Sequence, residues 1–211
     1  VRAIHKGPRG ERGDLAGKIL AAARASFAMH GFAGTSLRRV AREAGVDQAL
    51  VHYYFRDKST LLEACLQPPP GFLEEVEAVA GEPLERRGAA MVRLLVASWD
   101  DPTRGSILHA AIQTAAHEPQ ARERLRAILA ERIVGAVAAE LGEEATVRAV
   151  LCATQMVGLA IVRSVWRLEP LASLPNEAVV RLIAPTIQHY LAGDLGAPLD
   201  ERGATAPLGP T

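Results

Sequence analysis

Aromatic residues are scarce in this chain: two Trp, three Tyr and four Phe in 211 residues. A cavity or groove built from stacked rings is therefore not to be expected. Cysteine is scarcer still. Cys65 and Cys152 lie far apart with no Cys-x-x-Cys pair, so two small buried thiols are expected, and neither a disulfide framework nor a cysteine metal site. No apolar run reaches membrane-spanning length uninterrupted, and no basic start leads into an apolar stretch and cleavage site. The expectation is a cytoplasmic protein without a membrane partner. Strand-like alternation is missing as well, so the fold class expected is all-α.

Catalytic patterns are also lacking. The six histidines, His5, His30, His52, His109, His117 and His189, form no His-x-x-x-His pair. His109 and His117 fall two turns apart on one expected helix, so a metal there would need a third ligand from elsewhere. There is no Gly-x-Ser-x-Gly and no Gly-rich phosphate loop. Glu74-Glu75 and Glu143-Glu144 read as solvated charge at helix ends. Neither an enzyme nor a cofactor is expected, and no metal.

Net charge is zero, but it is unevenly spread. Residues 1–62 hold 11 Lys/Arg against 5 Asp/Glu, a net of +6; the remainder holds 13 against 19, a net of −6. A basic first third on an otherwise acidic chain points to local contact with a polyanion.

Residues 1–13 combine Gly, Pro and charge without apolar periodicity and read as a disordered basic arm. Its Arg2, Lys6, Arg9 and Arg12 suit phosphate or minor-groove contact, or mere solubility. Asp14 is the expected N-cap of a helix to about Met29, with Ile19, Leu20, Ala23 and Phe27 as its apolar stripe and Gly31 as its stop. Thr35 or Ser36 caps a second helix presenting Leu37, Val40, Ala41 and Ala44. Gly45 ends it. Asp47 caps a third to Phe55, and Asp57 caps a fourth, 58–67, before Pro68-Pro69-Pro70-Gly71.

Beyond that break, helices are expected at 72–80, 84–100, 104–117, 120–141, 143–168 and 176–192, with Pro185 kinking or shortening the last. Residues 194–211 read as a disordered tail. The domain division expected is thus a small helical unit at 14–62 and a larger helical unit at 63–193.

The chemistry concentrates in residues 35–62. At about 100° per residue, Val51 and Phe55 share the inward face of the third helix, while Ala49, His52, Tyr53 and Arg56 point outward. A helix with such a face fits the DNA major groove. Gln48 can pair with a base edge, Ala49 can touch a thymine methyl, and His52 and Tyr53 can donate to bases or phosphates. Tyr54 lies at the margin, within reach of a phosphate. Thr35, Ser36 and Lys58, at helix starts, suit phosphate. Arg38 and Arg39 are further candidates, and Arg42 reads as solvated. The same exposed cluster would also serve as a protein-contact surface.

These residues resemble the TetR family of bacterial transcriptional regulators. The resemblance runs through Phe27, Gly31-Phe32, Thr35-Ser36-Leu37, Val40 to Val46, Ala49 to Phe55 and Lys58 to Leu62. Asp47 stands where the family often has a serine cap, and His52 where a tyrosine is common. The resemblance implies a homodimer that reads a palindromic double-stranded operator, most often as a repressor, and is released by a small-molecule effector bound in the C-terminal domain. It places Trp99, His109, Gln113, Met156 and Trp166 on helices that line the effector cavity in relatives, though each also fits an ordinary core. It also assigns dimerisation to the last two long helices. There Ala149, Cys152, Ala153, Met156 and Ala160, with Val179, Ile183, Ile187 and Tyr190, either face a partner or pack within the chain.

Overall fold

The structure, a computed structural model, describes residues 9–139 and 144–196, with side chains from residue 15 onward. It is all-α: among the described residues there is no strand. In chain order come α1 (Arg9–Gly34), α2 (Leu37–Ala44), α3 (Gln48–Phe55) and α4 (Lys58–Cys65). Next are α5 (Phe72–Ala80), α6 (Leu84–Asp100), α7 (Pro102–His117) and α8 (Pro119–Ile128). A π-helical turn (Leu129–Val134) joins α8 to α9 (Gly135–Ala138). Another (Ile161–Val165) extends α10 (Ala145–Ala160), and α11 (Asn176–Ala192) is the last helix among the described residues.

The helix boundaries follow local chemistry. Ser36 caps α2 by accepting from the Arg39 N–H at 3.2 Å, Asp47 caps α3 through Ala49 N–H at 2.7 Å, and Asp57 caps α4 through Thr60 N–H at 2.7 Å. Gly45 closes α2 in the left-handed region, φ 68° and ψ 33°, its N–H donating to the Ala41 and Arg42 carbonyls. A side chain at that position would be strained.

Three expectations need correction. Helix α1 starts at Arg9, so Asp14 lies inside it and the anticipated arm contributes residues 9–13 to a helix. Extending a helix that is already anchored adds one hydrogen bond per residue fixed, which outweighs the glycines there. Residues 1–8 and 197–211, which hold the rest of the expected arm and most of the expected tail, lie outside the described residues, as does Glu143. Helix α11 runs through Pro185 without shortening. The single helices expected at 120–141 and 143–168 are instead each interrupted or ended by a π turn.

Each of α2, α3 and α4 has eight residues, too few to persist alone. They hold by burying Val40, Ala41, Val51, Phe55, Leu61 and Leu62 against Ile19, Ala23 and Phe27 of α1. Full burial of a large aliphatic side chain contributes roughly 1.5–3 kcal/mol. This core does not end at residue 62. Cys65, Leu66, Ala111 of α7 and Ala121 of α8 belong to it, so the small head is continuous with the larger unit.

The second core joins α6, α10 and α11 through Met91, Val92, Val96, Cys152, Leu159, Val179 and Ile187. Helices α6 and α11 approach closely at Gly88, where a β-carbon would sit 2.9 Å from the Gln188 backbone nitrogen. The Gln188 amide bridges one rung of α6, accepting from Gly88 N–H at 3.0 Å and donating to the Leu84 carbonyl at 2.8 Å. Arg163, 8% exposed, ties three elements together. It donates to Asp100 (2.8 Å), the Leu174 carbonyl (3.2 Å) and Asn176 (2.8 Å).

Both cysteines are free and buried. Burial pushes the Cys65 thiol up to about 12 and the Cys152 thiol up to about 11, so both stay protonated and unreactive. Ala145–Val165 is long and apolar enough to cross a bilayer, with a mean hydropathy of 1.7. Its inner face packs into the second core, and it carries Arg148 and the buried Arg163.

Candidate functional site

Helix α3 stands on the surface because only its inner stripe has a core to meet. Val51 is fully buried and Phe55 8% exposed, whereas Gln48, Ala49, His52 and Arg56 are exposed and Tyr53 is 77% exposed. The outward set expected from periodicity is therefore assembled on one face.

That face is partly pre-ordered. His52 Nδ1 lies 3.0 Å from the Arg56 carbonyl and Nε2 lies 3.4 Å from the Gln48 amide nitrogen. These two contacts hold the ring between the Gln48 side chain and the Arg56 backbone. The Gln48 side chain is thereby steadied, with its oxygen and a second N–H left to address a base edge. Helical periodicity places Gln48 and His52 together, but the coupling depends on rotamers and cannot be read from the residue string. Tyr53 and Tyr54 meet edge to face, ring centroids 5.3 Å apart at 80°. Tyr54 is half-buried beside Phe55.

Two residues expected at phosphate are turned inward. Thr35 is 2% exposed; its hydroxyl lies 2.9 Å from the Gly31 carbonyl and 3.3 Å from Ser26 Oγ, stitching α1 to α2. Ser36, one residue on, takes the cap. Lys58 Nζ donates to the Phe32 carbonyl (2.8 Å) and the Thr35 carbonyl (3.1 Å) and lies 4.1 Å from the Phe32 ring centroid. It satisfies carbonyls at the α1–α2 junction, a task no sequence pattern announces. Ser36 and Arg38 are exposed at the start of α2, while Arg39 is half-buried. The Asp57 carboxyl is held below its ordinary range, chiefly by the backbone and hydroxyl hydrogen bonds of Thr60.

The second feature is a cavity of about 200 Å³ in the larger unit. Its wall includes Leu66, Gln67 and Pro68 at the end of α4, Phe72 and Val76 of α5, and Trp99 of α6. It continues through α7, α8, the π turn and α10. Of the residues expected there, Trp99 and Met156 line it. His109, Gln113 and Trp166 do not: Gln113 is exposed, and Trp166 is 71% exposed beyond the end of α10. The choice of large or amphipathic residues picked surface positions, because a wall this apolar is made of Leu, Ile, Val and Ala that resemble any core.

The dimer candidates also divide differently. Ala149, Cys152, Ala160, Val179 and Ile187 are buried within the chain, and Ala153 and Met156 line the cavity. Val147, Val150 and Leu182, at 41%, 47% and 59% exposure, lie on the outward faces of α10 and α11.

A family profile described as "Bacterial regulatory proteins, tetR family" matches residues 19–65, and one described as "Tetracyclin repressor-like, C-terminal domain" matches residues 85–191, half of the chain. A solved TetR-family regulator from Streptomyces coelicolor is 35% identical, with 89% of this chain and 99% of that one covered and a TM-score of 0.62. The chain belongs to the TetR family.

Another solved TetR-like fold is NalD, a secondary repressor of a multidrug efflux pump in Pseudomonas aeruginosa. It is 18% identical at a TM-score of 0.63, covering 88% of this chain and all of that one, and shows likeness of fold alone. The HTH-type transcriptional regulator BetI of Cronobacter sakazakii is 27% identical over 124 residues. That match takes in 54% of this chain and 59% of BetI's length. As a TetR-family member, the protein is a DNA-binding transcriptional regulator. Family membership accounts for an exposed, capped α3 on a small head that is continuous with a larger helical unit.

Proposed function

We propose that the protein is a ligand-responsive repressor that binds a palindromic operator as a homodimer in the cytoplasm and leaves it when a small molecule occupies the cavity. The observation that carries this reading is the continuity between the two sites. Helix α4 follows α3 directly after the Asp57 cap, and the segment that leaves its end, from Leu66 to Pro68, is part of the cavity wall. A ligand that moves this end moves the head, because Leu61, Leu62 and Cys65 of α4 share a core with Val51 and Phe55 of α3.

In the operator complex, α3 enters the major groove. Gln48, Ala49, His52 and Tyr53 address bases, while Ser36, Arg38 and Tyr54 address the phosphate backbone. A two-fold reader needs its two α3 helices about one DNA turn, roughly 34 Å, apart or a multiple of it. The outward faces of α10 and α11, with Val147, Val150 and Leu182, supply an exposed apolar surface for the partner.

Selection of genomic fragments by the purified protein at near-physiological salt, followed by footprinting, tests the reading. The expected result is a two-fold site with half-sites in successive major grooves. Enrichment of no sequence by folded dimer would overturn it in favour of a protein-contact role for α3.

A further inference from the structure

We infer that the cavity takes an uncharged hydrocarbon-like ligand of roughly eight to ten non-hydrogen atoms, and excludes ions of either sign. This deepens the proposed function, resting on the cavity as its effector site. Size comes from volume: an apolar cavity of about 150 Å³ admits benzene, and this one encloses about 200 Å³. That leaves room for a substituted single ring or a short branched chain.

Chemistry comes from the wall. Among the described residues lining it, none is charged. The polar side chain there, Gln67, is exposed and donates to the Glu63 carbonyl of its own helix at 3.3 Å. The indole N–H of Trp99 is the other hydrogen-bonding group; the rest are aliphatic, aromatic or thioether side chains such as Val76, Leu95, Ile133 and Met156. The nearby ions are committed elsewhere. Arg104 is in a two-pronged pair with Glu75 at 2.6 and 2.8 Å, and Arg163 with Asp100 and Asn176. A ligand ion would lose its hydration and find no counter-charge or hydrogen-bond set in return. A polar effector would instead call for buried donors and acceptors aimed inward.

The test uses the full chain with toluene, isopropylbenzene and n-octane. Isopropylbenzene is paired with charged probes of matching size, benzoate and benzamidinium, and n-octane with hexanoate and heptylammonium. Binding is read by calorimetry and by Trp99 emission in a Trp166→Phe background. At least one hydrocarbon is expected to bind saturably and raise Tm, with the charged probes at least about 100-fold weaker. Ala153→Phe, which fills the cavity from α10, is expected to cost at least about tenfold in hydrocarbon affinity; Ala153→Leu serves if the larger replacement does not fold.

No hydrocarbon binding, a charged probe binding as well as its neutral match, or unchanged affinity in a folded filled variant would each overturn the inference. Operator release is measured separately. Hydrocarbon binding that leaves DNA affinity unchanged would sink the effector role and keep the ligand class. Release by a charged compound competing for the cavity would do the reverse.

Discussion

At the scale of single residues, the head divides into exposed side chains proposed to face DNA and side chains that hold the head in shape. Gln48 is exposed at the first position of α3 with its amide steadied by His52. Gln48→Ala is expected to relax preference at one base pair per half-site by about 1–3 kcal/mol, with stability unchanged, as measured by binding to a set of single-base operator variants. Lys58 has two hydrogen bonds and a ring contact directed inward. Lys58→Met is therefore expected to lower stability by about 1–3 kcal/mol, followed by denaturant titration. Full stability together with a salt slope smaller by about one unit would instead place its ammonium on a phosphate.

The caps of α2, α3 and α4, the periodicity and the outward positions were legible in the sequence; the start of α1 was not. Nor were Thr35 and Lys58. Whether a hydroxyl or ammonium turns in or out is settled by neighbours such as Gly31, Ser26 and Phe32, which only the folded α1–α2 junction brings into range.

At the scale of the element, α4 has a pH-dependent hold at its start. Asp57 bonds to Thr60 as a carboxylate, and its pKa lies below the ordinary 3.8. A depressed carboxylate pKa contributes stability that is fully present above the unfolded value and is lost as pH falls through the folded one. Asp57→Asn is expected to melt below the wild type at pH 6, with the two converging in acid below about pH 3.8. A gap that stays constant with pH, in paired thermal melts, would remove the charged cap from the account.

Helices α5, α6 and α11 are bounded where the proline and glycine breaks suggested. The π turns at Leu129–Val134 and Ile161–Val165 carry no such signature. Pro185 leaves α11 intact because it sits on an exposed face, while Val180, Ala184 and Ile187 anchor the other side of the helix in the core.

At the scale of the whole molecule, the proposed function depends on a second copy. Leu182 is 59% exposed on the outer face of α11, while its neighbours on the inner face are buried. Leu182→Glu is expected to yield a folded monomer by light scattering and to weaken operator binding by at least about 100-fold, since the two heads no longer bind as one unit. A dimer of unchanged affinity would move the interface off this face.

What the sequence alone determined is what local chemistry controls: an all-α chain, the capped helices of the head, the inward pair Val51 and Phe55, the outward set around Gln48 and Tyr53, and the resemblance those residues carry. Only the tertiary structure decided that Thr35 and Lys58 are spent inside, that the head shares its core with α7 and α8, and that Trp166 and Gln113 stand outside the cavity. It also decided that Ala149, Cys152 and Val179 are core and Leu182 is surface. The physical reason is common to all of these. A periodic pattern tells which side of a helix is apolar, but an aliphatic face reads the same whether it meets a neighbouring helix, an empty cavity or another chain.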